Sequence, residues 1–532
     1  MTRERLYIFD TTLRDGAQTQ GVDFSVEDKR QVALALDGLG LDYIEGGWPW
    51  ANATDTAFFA DPPKLKTARF TAFGMTKRSG RSAANDPALA PVLEADVAAI
   101  CLVGKTWDFQ VDVALEIPRA GNIDNIARSM EAIAAKGREA LLDAEHFFDG
   151  WKANPEYALA CIAAAHQAGA HWLVLCDTNG GTMPEDAYRI VSEVKAKLPD
   201  ARLGIHAHND TGQAVAVSLA AIRGGARQVQ GTLNGLGERC GNANLCSLIP
   251  NLALKPGYAD KYETGITPEN LARITHVSRL LDEILNRAPD RYAPYVGPSA
   301  FVHKGGLHSS AVLKNPATYE HVKPELVGNE RVIPVSDQAG RSNVLARLAE
   351  AGIGIDARDP RVARLLEEIK QRAVSGYAYD GAEASFELLA RRALGQVPDY
   401  FQAESFKVSV TRENGRTVSE GQVRLRVAGQ EINSTGTGNG PVNALDAALR
   451  KDLGKYAPFI ADLRLVDYKV RILTSGNNES GTGAVTRVMV ESADGQGNRW
   501  STVGVSENIV DASFEALLDS VTYKLYRDGA RA

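Results

Sequence analysis

Up to about residue 258, short apolar runs alternate with segments of helical spacing. The runs fall at 6–10, 43–47, 70–74, 97–103, 140–145, 172–177, 203–208 and 228–233. Val32, Leu34, Leu36 and Leu39 mark the first helical segment, and Tyr188, Ile190, Val191 and Val194 mark a later one. Runs that are apolar almost throughout are strands covered on both faces, the condition of a parallel sheet wrapped in helices. Eight strand–helix units over residues 1–258 predict an α/β TIM (β/α)8 barrel. An open doubly wound sheet is the alternative, but no G-x-G-x-x-G follows the first strand.

Downstream, Thr267-Pro268-Glu269 opens a helix carried by Leu271, Ile274, Val277, Leu281 and Ile284, and a helical stretch covers 344–366. From about Phe406 the pattern turns to alternation, with strands at 407–410 and 423–427. A glycine-rich stretch, Gly436-Thr437-Gly438-Asn439-Gly440-Pro441, then leads into a helix at 442–453. A second round follows, with strands near 463–473, 484–491 and 500–506 and a helix at 510–526. Two strand-rich units, each ended by a helix, predict an internally duplicated α+β domain over 396–532.

Composition narrows the class without changing this layout. Hydrophobic residues make up 44% of the 532 residues and charged residues 23%, as in a soluble globular protein. A net charge of −7 with no basic run argues against nucleic acid as a partner. No apolar stretch is long enough to span a membrane, and Met1-Thr2-Arg3-Glu4-Arg5 leads into a strand rather than a signal peptide. Five cysteines, odd in number and without C-x-x-C spacing, fit a reduced cytoplasmic setting.

In a barrel, polar groups at strand C-termini converge on one face. Here the strand ends carry Arg14 and Asp15, Glu45, Lys105, Glu145 and His146, Asp177-Thr178-Asn179, His206-Ala207-His208, and Asn234-Gly235. Residues two apart on a strand share a face, so His206 and His208 both point into the mouth. Two imidazoles with the Asp15 carboxylate suit a divalent cation, and Asn242 in the following glycine-rich loop could add a neutral oxygen. Each stretch has a plainer reading alone. Asp10 or Thr11 could cap a strand-to-helix turn, and three glycines also serve a sharp barrel corner. Asp143 and Glu145 share one face of the fifth strand.

Three separated motifs carry a family resemblance. Asp10-Thr11-Thr12-Leu13-Arg14-Asp15-Gly16, His206-x-His208 and Gly235-x-Gly237-Glu238-Arg239-x-Gly241-Asn242 resemble the acyl-CoA-condensing TIM-barrel enzymes of the α-isopropylmalate synthase/homocitrate synthase family. The likeness runs along the whole chain. It implies linker subdomains at 259–395, a regulatory and dimerisation domain at 396–532, and metal-assisted condensation of acetyl-CoA with a 2-oxo acid, followed by thioester hydrolysis. Isopropylmalate synthases usually carry Glu where Ala17 stands, which favours pyruvate over 2-oxoisovalerate and a place in isoleucine biosynthesis.

The resemblance also implies site roles. Asp15, His206, His208 and Asn242 would hold Mn²⁺, Mg²⁺ or Zn²⁺. Arg14 would stabilise the charge developing on the carbonyl oxygen, Thr178 would bind the substrate carboxylate, and Gln18 and Asp143 would contact substrate. Glu145 would act in acid–base chemistry or orient acetyl-CoA, with a pKa raised by neighbouring carboxylates. His308 and Tyr319 would reach the active site of a partner subunit, implying a homodimer, and isoleucine is the implied effector. A retro-aldol lyase of the same superfamily and a non-catalytic amino-acid sensor are the alternatives by class.

Overall fold

The computed structural model describes residues 3–334, 340–473 and 484–531. It forms two compact units, Met1–Phe301 with Val322–Glu330 and Val302–His321 with Arg331–Ala532.

The first unit is a closed barrel of eight parallel strands. They are β1 (Tyr7–Asp10), β2 (Tyr43–Gly47), β3 (Arg69–Met75), β4 (Ala99–Lys105), β5 (Glu139–Glu145), β6 (Trp172–Asp177), β7 (Leu203–Ala207) and β8 (Gln228–Gly231). The ring shuts where β1 pairs with β8, from Tyr7 opposite Gln228 to Asp10 opposite Gly231. Helices surround it. Ser25 and Asp28 form a reciprocal capping box at the start of Val26–Leu39. Val32, Leu36 and Leu39 of that helix are buried, but Leu34 is 46% exposed, as is Tyr188 (47%) on Pro184–Lys197. Helical spacing therefore placed both helices correctly and misplaced one apolar residue on each.

Every second strand residue points inward, and the inward columns change character along the barrel axis. At the bottom, Phe9 stacks on Tyr43, and Trp172 donates its indole N–H to Tyr43 Oη at 3.1 Å. Cys101, Leu141 and Val174 complete this apolar plug. One step up, the columns read Val103 on β4, Asp143 on β5, Cys176 on β6 and His206 on β7. At the top come Lys105 and Glu145. A packed floor beneath a polar mouth confines the chemistry to one end.

The second unit contains two three-stranded antiparallel sheets. The first comprises β9 (Phe401–Glu413), β10 (Arg416–Val427) and β11 (Gln430–Gly438), followed by the helix Pro441–Lys451. The second comprises β12 (Arg464–Ile472), β13 (Thr486–Ala493) and β14 (Arg499–Ser506), followed by the helix Ile509–Arg527. Val423, Leu425, Leu445, Leu449, Val488, Val490, Leu517 and Val521 share one core, so the two repeats pack on each other.

Strand β11 was not expected from the sequence, because its end reads as a glycine-rich loop. The glycines serve packing instead. A Cβ at Gly436 would lie 2.4 Å from the Ala448 amide of the adjoining helix, and one at Gly504 in the second repeat would lie 2.0 Å from the Ala512 carbonyl. Two helix expectations also change. The stretch from Thr267 is two helices, Pro268–Leu271 and Ile274–Ile284. The stretch 344–366 is broken into Arg341–Glu350 and Pro360–Val374, with Gly352, Gly354 and Pro360 at the interruption. No helix among the described residues is long and apolar enough to cross a membrane.

Candidate active site

A cavity of about 630 Å³ opens at the C-terminal ends of the barrel strands. Its lining includes Arg14, Asp15, Gln18, Asp143, Glu145, Thr178, His206 and His208, eight of the residues singled out in the sequence. The first strand supplies its groups through a tight turn. Asp10 accepts from the Thr12 amide and hydroxyl at 2.8 and 2.7 Å, and Thr12 Oγ1 accepts from the Leu233 amide at 2.8 Å. Burial pushes the Asp10 carboxyl up to about 7, against the lowering effect of these bonds. Asp10 and Thr12 are thus structural, and the turn they fix throws Arg14 and Asp15 into the mouth.

Asp15 Oδ2 lies 3.3 Å from His206 Nε2 and 3.6 Å from His208 Nε2, and the two Nε2 atoms are 3.1 Å apart. Among the described residues this trio is a cluster of His, Cys, Asp or Glu side chains close enough to hold a metal ion. Its spacing suits ligand atoms around one small cation, since neighbouring ligands 2.0–2.1 Å from an octahedral centre sit about 3 Å apart. Asn242 fits the same role. Its Nδ2 donates to the Leu236 carbonyl at 3.1 Å, which leaves Oδ1 buried with no hydrogen-bond partner. The glycines of this loop are a matter of close approach: at Gly241, with φ of +85°, a Cβ would lie 2.0 Å from the Gly235 carbonyl.

The electrostatics are those of a paired cluster. Burial alone would raise the Asp15 pKa, but the Arg14 charge and the two imidazoles hold it well below the ordinary carboxylate range. Burial would lower His206, and Asp15 outweighs it, so its pKa is raised. Arg14 donates from Nε to Glu45 Oε2 at 2.8 Å, has Nη1 3.6 Å from Asp15 Oδ2, and lies 4.0 Å over the Phe73 ring. Thr11 Oγ1 donates to the same Glu45 oxygen at 2.6 Å. Burial raises the Glu45 pKa and Arg14 opposes that rise. Burial, then Asp143, pushes the Cys101 and Cys176 thiols far up, so neither offers a thiolate.

Several partners were missed from sequence. Glu45 was noted at a strand end, but its grip on Arg14 was not. Gln230 joins His206 to Asp143 and was overlooked, although a glutamine pair at 228 and 230 in a buried strand is an anomaly worth reading. Arg239 chelates Asp210 and donates to the Thr178 carbonyl and His208 Nδ1, each at 2.7–2.9 Å. Glu145 departs from expectation. Its close partner is the Lys105 cation on the neighbouring strand. Thr178 Oγ1 accepts from the His146 amide at 2.8 Å and keeps its own proton to donate. His308 and Tyr319 belong to the second unit, where their rings stack at 4.2 Å. Nearby, Glu320 accepts from Arg331 at 2.6 Å and contacts His303 at 3.1 Å.

Comparison with known proteins bears on this geometry. Residues 5–280 match an HMGL-like family model, residues 295–376 the homocitrate synthase post-HMGL domain-like model, and residues 380–525 the LeuA allosteric (dimerisation) domain. The (R)-citramalate synthase of Aquifex aeolicus is 50% identical over 529 residues, covering 99% of this chain and 98% of that protein. The chain belongs to the (R)-citramalate synthase family. Members from Synechocystis sp. (48% identity; 98% of this chain and 96% of that protein) and Geobacter sulfurreducens (49%; 98% and 97%) share this span. Membership thus covers the barrel, the segment after it and the duplicated domain alike, and a LeuA-type dimerisation domain accounts for the two-repeat unit.

Proposed function

We propose that the chain condenses acetyl-CoA with pyruvate and hydrolyses the thioester, giving (R)-citramalate and CoA. The observation that carries this reading is full-length identity to (R)-citramalate synthases in a chain whose barrel mouth holds Asp15, His206 and His208 beside a fixed guanidinium. Asp15, His206, His208 and Asn242 would hold a divalent ion, with Mn²⁺, Mg²⁺ and Zn²⁺ all suited to this N/O set. Bound there, the ion would supply Lewis-acid polarisation of the 2-oxo group and a preferred face of attack. Arg14 places its guanidinium where charge develops on the carbonyl oxygen. Thr178 donates its hydroxyl to the pyruvate carboxylate, and Asp143 bounds the acceptor pocket near the barrel floor. Gln18 contacts the substrates from the exposed rim. Glu145, held by Lys105, orients acetyl-CoA or takes the methyl proton.

The domain plan we propose is a catalytic barrel over 1–258, linker subdomains over 259–395, and a regulatory, dimerising domain over 396–532. In the homodimer, His308 and Tyr319 of one subunit serve the barrel of the other, and isoleucine acts as the feedback effector. The five free cysteines support a cytoplasmic setting.

Thiol release from acetyl-CoA tests the reading. Release should depend on pyruvate and be far slower with 2-oxoisovalerate or 2-oxoglutarate. Absence of acceptor-dependent CoA release with all three would refute a synthase, and preference for 2-oxoisovalerate would move the chain to the isopropylmalate-forming reaction.

A further inference from the structure

The two imidazoles of the Asp15 cluster are held differently, and the hold on His206 crosses the barrel. His206 on β7 and Gln230 on β8 are register partners, and His206 Nδ1 lies 2.8 Å from Gln230 Oε1. The amide of Gln230 then spans the interior, where its Nε2 donates to Asp143 Oδ1 on β5 at 3.0 Å. All three side chains are buried, with exposures of 4% for His206, 1% for Gln230 and 4% for Asp143.

The proton positions along this line follow from donor and acceptor inventory. A carboxylate has no proton to give, so it fixes the NH₂ side of the Gln230 amide toward Asp143. The amide oxygen must then face His206. An amide oxygen only accepts, so Nδ1 of His206 carries a proton, and Nε2, which faces Asp15 and His208, is the nitrogen left to ligate an ion. Neither Gln230 nor Asp143 has a place among the ion's ligands. His208 differs: its Nδ1 receives a donor from Arg239 at 2.8 Å, so the neutral ring carries its proton on Nε2 and gives up the Arg239 contact when that nitrogen ligates.

We propose that Gln230 is a positioning residue for the metal site, and that Asp143 acts through it to lock His206 in the tautomer that can ligate through Nε2. This rests on the reading that Asp15, His206 and His208 hold a divalent ion. It gives Asp143 a second task besides bounding the acceptor pocket, and it couples the substrate-facing wall of β5 to the ion on β7.

The test is calorimetric titration of Mn²⁺ into the metal-stripped full-length protein without substrates. Gln230→Leu removes the acceptor, and Asp143→Asn removes the rule that orients the amide. Each should weaken Mn²⁺ binding by about 10- to 100-fold, the usual cost of losing a partner behind a metal ligand. The double variant Gln230→Glu with Asp143→Asn rebuilds the line with reversed chemistry. The new carboxylate at 230 accepts from His206 Nδ1, and the new amide at 143 donates to it. This swap should recover most of the lost affinity, which a packing role does not predict. Wild-type binding by Gln230→Leu, or loss without recovery in the swap, overturns the proposal. Asp15→Ala is the control on the underlying reading. If it abolishes binding while Gln230→Leu does not, only the positioning role fails. If Asp15→Ala binds normally, the metal assignment itself fails. Should Gln230→Leu not fold, Asp143→Asn and the swap decide.

Discussion

Replacing Glu45 by Gln isolates the anchoring of Arg14. The carboxylate is fully buried, and one oxygen receives both Arg14 Nε at 2.8 Å and Thr11 Oγ1 at 2.6 Å. The amide keeps the shape and one acceptor oxygen, so what is lost is the charge opposite the guanidinium. Hydrogen bonds to charged groups contribute about 1.5–3 kcal/mol against about 1 kcal/mol for neutral pairs. The difference, about 0.5–2 kcal/mol, corresponds to roughly a 2- to 30-fold fall in kcat if Arg14 acts on the transition state. Removing the guanidinium altogether, as in Arg14→Gln, should cost more, about 100- to 1000-fold, as for loss of an oxyanion donor. The decisive measurement is a double-mutant cycle on kcat for pyruvate-dependent CoA release. Adding Glu45→Gln to Arg14→Gln should cause little further loss, because the anchor has nothing left to hold. Full additivity of the two losses would refute the argument, and Mn²⁺ affinity should be unchanged in Glu45→Gln.

Asp15→Ala should abolish metal-dependent turnover while the protein still elutes as a folded dimer; activity retained without that carboxylate would remove it from the site. Asp10, whose pKa is pushed up to about 7, keeps its proton in the folded chain after the unfolded chain has lost its own near 3.8. Its contribution to stability is therefore present in full below about pH 4 and is lost as pH rises to about 7, at no more than about 1.4 kcal/mol per pH unit. Chemical denaturation of Asp10→Asn and wild type from pH 5 to 8 should show a gap that shifts in favour of the variant with rising pH. A constant gap would contradict the assignment. Lys29, buried and bonded to the Leu13 and Gly46 carbonyls at 2.9 Å and to Asp55, should tolerate Lys29→Met poorly. The loss, about 3–5 kcal/mol, reflects a stranded Asp55 charge, and Lys29→Met with Asp55→Leu should recover part of it in the same denaturation assay.

The barrel was legible because fully buried strands leave near-continuous apolar runs, and each run ends where charge begins. The parity of a strand sufficed to bring His206 and His208 to one side, and Asp15 followed from a turn at the end of β1. What escaped was pairing across the interior. Nothing in a linear pattern says that Glu45 of β2 grips Arg14, or that Gln230 of β8 reaches Asp143 of β5, because those contacts depend on barrel register. The Lys105 partner reversed the environment expected for Glu145 for the same reason. Strand β11 was hidden by composition. Gly436 and Gly438 look like a loop until the helix Pro441–Lys451 is laid against them, and then small residues are what the sheet requires. The break between Glu350 and Pro360 was the converse case, where apolar spacing carried on through residues that cannot continue a helix.

The pairing of β1 with β8 has a consequence for how the chain reaches its native state. Asp15 hangs from the first strand, the imidazoles from the seventh, and Asn242 from the loop after the eighth, so the cluster straddles the seam of the ring. During synthesis the pieces emerge at opposite ends of the barrel sequence, and no partly built sheet contains them together. Seam closure brings the most distant segments into contact, the step that loop entropy makes slowest. An ion that binds only the shut ring would act as a clasp, favouring closure by about 2.7 kcal/mol at a hundred times its Kd. Such an ion would then add to the stability of the closed barrel before any substrate is met.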